Sequence, residues 1–188
     1  MSSISDSGGN EMVDANLARQ IIKATIEELE AISQLHSCIV AASVLTTAFA
    51  RVNIPSNALA VYATVFNPIY AQRIRDNGLA PLSEAADQQC RTDGGRLVQV
   101  GADLQPGEEL EDGEFPGHVA VVIPDFRPGA VTLVDLAIIQ ANDPELNVYV
   151  DPLIAHTFPG FVHGSEQLWS QNHDCLVVYS AKPDDTRF

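Results

Sequence analysis

Apolar residues recur at helical spacing in the first part of the chain. Val13, Leu17, Ile21, Ile22, Ile26, Leu29, Ile32 and Leu35 step by three and four, with Arg19, Lys23, Glu27, Glu28 and Glu30 interleaved. This predicts an amphipathic helix over residues 11–34, packed on a core by one face. A second helix follows with Cys38 in its first turn and Val40, Val44, Leu45 and Phe49 on a wide apolar face. It ends at Val52-Asn53-Ile54-Pro55, because proline disfavours helix in the residue before it. Ser37 stands where an N-cap side chain is expected. The pattern then becomes β-rich and mostly apolar over Ala58–Phe66, a buried strand stopped by Asn67-Pro68.

A long irregular region follows. It carries a short helix over Leu82–Arg91, a short strand over Arg96–Val100, and an acidic loop with Glu108, Glu109, Glu111, Asp112 and Glu114. Two apolar runs, His118–Ile123 and Ala130–Ile138, flank Pro124-Asp125-Phe126-Arg127-Pro128-Gly129 and read as a β-hairpin. With the turn centred between Phe126 and Arg127, Val122 faces Val131, Ala120 faces Leu133, and His118 faces Asp135. Residues 139–147 read as a loop or short helix, and 148–152 as a short extended piece. Residues 153–173 show no clear period; Trp169 reads as core or pocket wall, and His156, His163 and His173 as loop histidines. Cys175–Ala181 is a last strand.

Composition narrows the class. The 188 residues are 46% apolar, enough for one substantial core, and organise as a disordered tail (1–10), a single α+β domain (11–182) and a polar tail (183–188). No apolar run approaches the ~18 residues of a membrane span, and the first ten residues lack the basic and apolar regions of a secretory signal, so a cytoplasmic protein is expected. The three cysteines are too scattered for a disulfide framework or a zinc site, so no metal and no cofactor is expected. A formal charge of −15 argues against nucleic acid and anionic membrane surfaces as partners.

The candidate chemistry is Cys38, His118 and Asp135. A cysteine in the first turn of a helix faces unpaired amide donors and the positive end of the dipole, which stabilise a thiolate. Asp135 sits inside Thr132-Leu133-Val134-Asp135-Leu136-Ala137-Ile138, where an unpaired carboxylate would be costly; a facing histidine meets that need. The three side chains supply a nucleophile, an acid/base and an orienting carboxylate. Gln34 is the candidate side chain for an oxyanion hole beside the backbone N–H of Cys38. His36 is a rival base without a carboxylate in sequence reach, and Cys175 is structural. The acidic loop just before His118 is expected to steer cationic or neutral amide substrates toward the site and repel anions.

The order of these residues resembles the transglutaminase-like branch of the papain-type cysteine enzymes. Cys38 on its apolar helix, the Val52-Asn53-Ile54-Pro55 turn into a strand, Gly117-His118 followed by Val-Ala-Val-Val, and Leu133-Val134-Asp135 match that family's cysteine helix, "G-I-P" turn, histidine strand and aspartate strand. The match covers residues 35–138. Ser37 and Ile39 replace the aromatic often beside the family's cysteine, and Val119-Ala120 the aromatic that often follows its histidine. The resemblance implies a cysteine helix packed on an antiparallel sheet, and an amidase, deamidase, peptidase or transglutaminase acting on peptide, protein or amine substrates. Two alternatives stay open: a catalytically silent binding domain of the same fold, and an acyltransferase like the arylamine N-acetyltransferases, whose Arg-Gly-Gly-x-Cys sequence is absent here.

Overall fold

A computed structural model of the chain describes residues 15–101, 117–124 and 129–182. Both expected tails and the acidic loop with Glu108, Glu109, Glu111, Asp112 and Glu114 lie outside the described residues. The elements run α1 (Ala15–Ala31), α2 (Cys38–Arg51), β1 (Asn57–Phe66), α3 (Pro68–Asp76), α4 (Glu84–Thr92), β2 (Leu97–Val100), β3 (His118–Pro124), β4 (Val131–Asp135), a 3₁₀ turn (Ile138–Ala141), β5 (Leu153–Thr157), α5 (Pro159–Val162), β6 (Gln167–Asn172) and β7 (Cys175–Ala181).

All the strands among the described residues belong to one antiparallel sheet, in the order β5-β4-β3-β1-β7-β6, with β2 also on β1. β1 organises it. The first half of β1 pairs with β3, from Asn57 opposite Val122 to Val61 opposite His118, and the second half pairs with β2 along the same edge. β2 and β3 therefore lie end to end, and His118 opens β3 at the gap between them. Gly101 sits in that gap at φ +79°, and a Cβ there would come within 2.8 Å of the His118 backbone nitrogen. Only glycine accepts both conditions.

Strand alternation sorts the apolar side chains into two cores. Leu59, Val61, Ala63 and Val65 of β1 share one face with Ala120, Val122, Leu133, Val177 and Tyr179. Val119, Val121, Ile123 and Val134 face the other way, onto Ala18, Ile22 and Leu29 of α1 and Ala41, Ala42, Leu45 and Phe49 of α2. β3 is apolar on both faces because both are covered. Leu45 and Phe49 are fully buried, each contributing roughly 1.5–3 kcal/mol, which anchors α2 across the sheet. The sheet curls until its edge strands, β5 and β6, touch.

Both N-terminal helices end on a residue in the left-handed conformation. Ser33 (φ +57°) closes α1, with the N–H groups of Ser33 and Gln34 returning to Glu30 and Leu29. Asn53 (φ +59°) closes α2, with the N–H groups of Asn53 and Ile54 returning to Ala50 and Phe49. These bonds satisfy the terminal carbonyls. They stop α1 at Ala31, short of the expected residue 34, and stop α2 before Pro55 has any effect.

Two further expectations are corrected. Asn67-Pro68 ends β1 but also starts α3: the buried Asn67 side chain accepts from the Tyr70 N–H, and Pro68 fills the first helical position, which needs no N–H. The stretch directly after β1, Pro68–Asp76, is therefore helical rather than irregular, while the expected short helix and strand beyond it appear as α4 and β2. Residues 153–173 hold β5, α5 and β6, which places His156 in a strand. Trp169 is partly buried against the cluster formed by α3, α4 and β7.

Candidate active site

The first turn of α2 carries the thiol. Ser37 has the extended backbone of an N-cap, but its side chain makes no capping bond, contrary to expectation. The first intrahelical bond runs from the Ala41 N–H to the Ser37 carbonyl at 2.8 Å. The preceding N–H groups of α2 thus have no acceptor within the helix. Cys38 is half-buried there, over the start of β3. Burial pushes its thiol up, but the hydrogen bond and charge of His118, with the Val119 backbone N–H, outweigh burial and bring it below its ordinary 9.0.

His118 and Asp135 are both fully buried, with Nε2 2.7 Å from Asp135 Oδ2. Burial disfavours the imidazolium, but the Asp135 charge and hydrogen bond, and then Cys38, raise His118 to about 10. A lowered thiol beside a raised imidazole favours proton transfer from sulfur to nitrogen, toward a thiolate–imidazolium pair.

The route to this contact differs from the expected one. Val122 stands opposite Leu133 and Pro124 opposite Val131, so the strands are shifted by two positions from the expected register. Continuing the ladder sets Asp135 level with Ala120, diagonal to His118. The cause is a longer connection: Gly129 takes φ +76°, and β4 begins only at Val131. Because side chains alternate with period two, a shift of two keeps both residues on one face, and the imidazole spans the diagonal.

Asp135 has two more donors. Tyr179 of β7 donates its hydroxyl to Oδ2 at 2.9 Å, and the Ala137 backbone N–H donates to Oδ1 at 3.1 Å. Tyr179 is held well above its ordinary value, by burial first and the Asp135 charge second, so it stays a donor throughout the working range. The bond to Ala137 turns the chain directly after β4 and aims the 3₁₀ turn back over the site. Gln140 on that turn is exposed, and its carboxamide nitrogen lies 2.8 Å from His118 Nδ1.

Sequence reasoning missed Tyr179 and Gln140. Tyr179 had a signal, since a hydroxyl inside Cys175–Ala181 must find a partner when that strand is buried. Gln140 had none, because its position depends on a turn that the Asp135 carboxylate creates.

The remaining expected residues are elsewhere. Gln34 is exposed in the α1–α2 turn, where its carbonyl accepts from the Ser37 N–H, and no described hydrogen bond joins its side chain to Cys38. His36 is exposed. His156 bonds Thr132 at 3.1 Å, and His173 bonds Asp151 at 2.7 Å, both away from the thiol. Cys90 and Cys175 are buried, and burial pushes both thiols up, which suits structural roles.

An apolar groove of about 250 Å³ begins one residue beyond Cys38, bounded by Ile39, Ala42, Ser43 and Thr46 of α2, Ala58 of β1 and Val119 of β3. Val119 is shared: its N–H reaches the thiol and its side chain walls the groove. A wider depression of about 580 Å³ at the far end of α2, near Asn53 and Pro55, is lined by no titratable side chain. The smaller groove has no titratable lining either; it is the one that adjoins the site, through Ile39 next to Cys38 and Val119 next to His118.

Among the described residues no three His, Cys, Asp or Glu side chains gather as a metal site, and no helix is long and apolar enough to cross a membrane. Compared with known proteins, the chain matches no family model, no curated protein and no solved structure.

Proposed function

We propose that this chain is a cysteine-dependent acyl-transfer enzyme acting on amide bonds, on a papain/transglutaminase-like fold. Cys38 is the nucleophile, His118 the acid/base and Asp135 the orienting carboxylate. The observation that carries this reading is the buried relay itself: a helix-start thiol engaged by an imidazole whose Nε2 is pinned 2.7 Å from a buried carboxylate. A structural cysteine has no use for such a partner.

In the reaction, the Cys38 thiolate attacks the carbonyl carbon and forms the carbon–sulfur bond. His118, protonated at Nδ1, gives that proton to the departing amine as the carbon–nitrogen bond breaks. Nε2 stays on Asp135, which holds the ring in one tautomer throughout. Water, or an amine, then loses a proton to Nδ1 as it attacks the thioester, and the thiolate is released. The groove beside Ile39 and Val119 receives an apolar part of the acyl group. The net charge of −15 favours neutral or cationic amides over anionic ones.

Iodoacetamide at neutral pH tests the reading directly. The folded protein should be alkylated at Cys38 and spared at buried Cys90 and Cys175, and His118→Ala should slow the reaction tenfold or more. A Cys38 that alkylates no faster than a free thiol, or is indifferent to His118→Ala, would remove the nucleophile from the account.

A further inference from the structure

Attack on a carbonyl drives negative charge onto its oxygen, and efficient acyl transfer places fixed donors against that charge. One donor is the backbone N–H of Cys38, first residue of α2 and without an acceptor inside the helix. A second must come from a side chain or loop. Gln34 is exposed in the turn before α2, with no described bond from its side chain to the thiol.

Gln140 is better placed. Asp135 occupies Nε2 of His118, which leaves Nδ1 to serve the thiol, and the Gln140 carboxamide nitrogen is 2.8 Å from that same Nδ1. It is therefore one hydrogen bond from the reacting atoms. Its backbone is fixed by a bond from its own N–H to the Ala137 carbonyl at 3.1 Å, and Ala137 is fixed by Asp135 Oδ1. The carboxylate that orients the base thus also orients the glutamine. The side chain is exposed, and among the described residues only the bond to Nδ1 holds its carboxamide.

Protonation couples the two groups. A bare Nδ1 accepts from the amide N–H, but a protonated Nδ1 repels it, since both atoms then carry hydrogen. The imidazolium accompanies the thiolate, so the amide N–H is released in the very state that attacks.

We propose that Gln140 is a further catalytic residue, donating its side-chain N–H to the carbonyl oxygen alongside the backbone N–H of Cys38; this rests on the acyl-transfer reading above. As the carbon–sulfur bond forms, the carbonyl π pair moves to oxygen, where the two donors meet it. The pair returns as the bond to the leaving group breaks.

Two reactions of the same thiol test the assignment. Acylation by p-nitrophenyl acetate passes through an oxyanion and releases p-nitrophenolate, whereas alkylation by iodoacetamide displaces iodide and forms none. Gln140→Leu and Gln140→Ala, both at an exposed position, should lower the acylation rate about 10²-fold while alkylation changes less than about threefold. Equal losses in both reactions would show that Gln140 only positions the imidazole, and no loss in either would make it a bystander; each overturns the proposal. If unmutated protein is alkylated at Cys38 yet releases no more p-nitrophenolate than Cys38→Ala, the acyl-transfer reading itself fails, and that result needs no Gln140 variant.

Discussion

Tyr179 and His118 meet on a single atom: the tyrosine hydroxyl is 2.9 Å, and the imidazole Nε2 2.7 Å, from Asp135 Oδ2. Tyr179 lies on β7, and β3 and β1 intervene between β7 and the β4 strand of Asp135. Only a strongly curled sheet lets a side chain cross that interval. The Tyr179 bond is therefore both a tie across the concave core and part of the support for the carboxylate that holds His118.

Tyr179→Phe removes that donor and leaves the ring in place. Hydrogen bonds to charged groups contribute about 1.5–3 kcal/mol, so denaturant unfolding should show a loss within that range. Cys38 alkylation at neutral pH should fall only severalfold, because His118 and Ala137 still hold the carboxylate. A stability unchanged from the parent protein would mean that the bond contributes nothing net.

The pH dependence of Cys38 reactivity follows from the two shifted groups. Because the thiol is brought below its ordinary 9.0, alkylation should inflect below pH 9. His118 has the opposite sign: with its value raised from 6.5 to about 10, its contribution to stability is complete below about pH 6.5 and is lost as pH rises through about 10. Asp135→Asn removes the charge that sustains the imidazolium. The direct effect of Asp135 on Cys38 is to raise it, but this is the weakest of the influences on that thiol, so the loss acts through His118. The inflection should move up toward 9, and the rate at pH 7 should drop at least tenfold, measured by mass spectrometry of the Cys38 peptide.

Gly101→Ala tests the junction that presents His118. The added Cβ would stand 2.8 Å from the His118 nitrogen and 3.1 Å from the Val61 carbonyl oxygen, on a backbone at φ +79°. Destabilisation of about 1–3 kcal/mol is expected from strain of this kind, together with slower alkylation of Cys38, since the histidine moves with its backbone. A variant as stable and as reactive as the parent would contradict the close approach.

Ser43→Phe should fill the groove beside the thiol without disturbing the core, because Ser43 is exposed on α2. Methyl methanethiosulfonate should still modify Cys38 at close to the parent rate. Hexyl methanethiosulfonate, whose chain needs the groove, should react about tenfold more slowly, a loss of about 1.4 kcal/mol of transition-state binding. Equal rates for the two reagents in both proteins would leave the groove without a role.

Local pattern was enough for much of the chain. The three-and-four spacing that culminates in Leu45 and Phe49 made α2 legible, and the unbroken apolar runs of β1, β3 and β7 marked strands buried on both faces. Asp135 announced itself by its cost, as a carboxylate inside a buried run that needed a partner, and the nearest histidine on the paired strand was His118. The pairing survived a wrong register because a slip of two positions preserves the face. What local pattern missed depended on backbone turns and distant contacts. The ends of α1 and α2 were set by left-handed Ser33 and Asn53, a state that neither residue type demands. α3 was hidden because Asn67-Pro68 reads equally as the stop of a strand and the start of a helix.

The sequence alone sufficed to nominate the thiol, base and carboxylate, because helix position, strand burial and charge cost are properties of neighbours along the chain. It nominated Gln34 for the remaining donor, since Gln34 is near Cys38 in order. Tertiary structure added what order along the chain could not: the curl of the sheet brought Tyr179 onto Asp135 from β7, and the turn built on Asp135 Oδ1 brought Gln140 onto Nδ1. Both contacts arise from chain closure over long separations, where the energy of burying and pairing polar atoms acts through space rather than along the sequence.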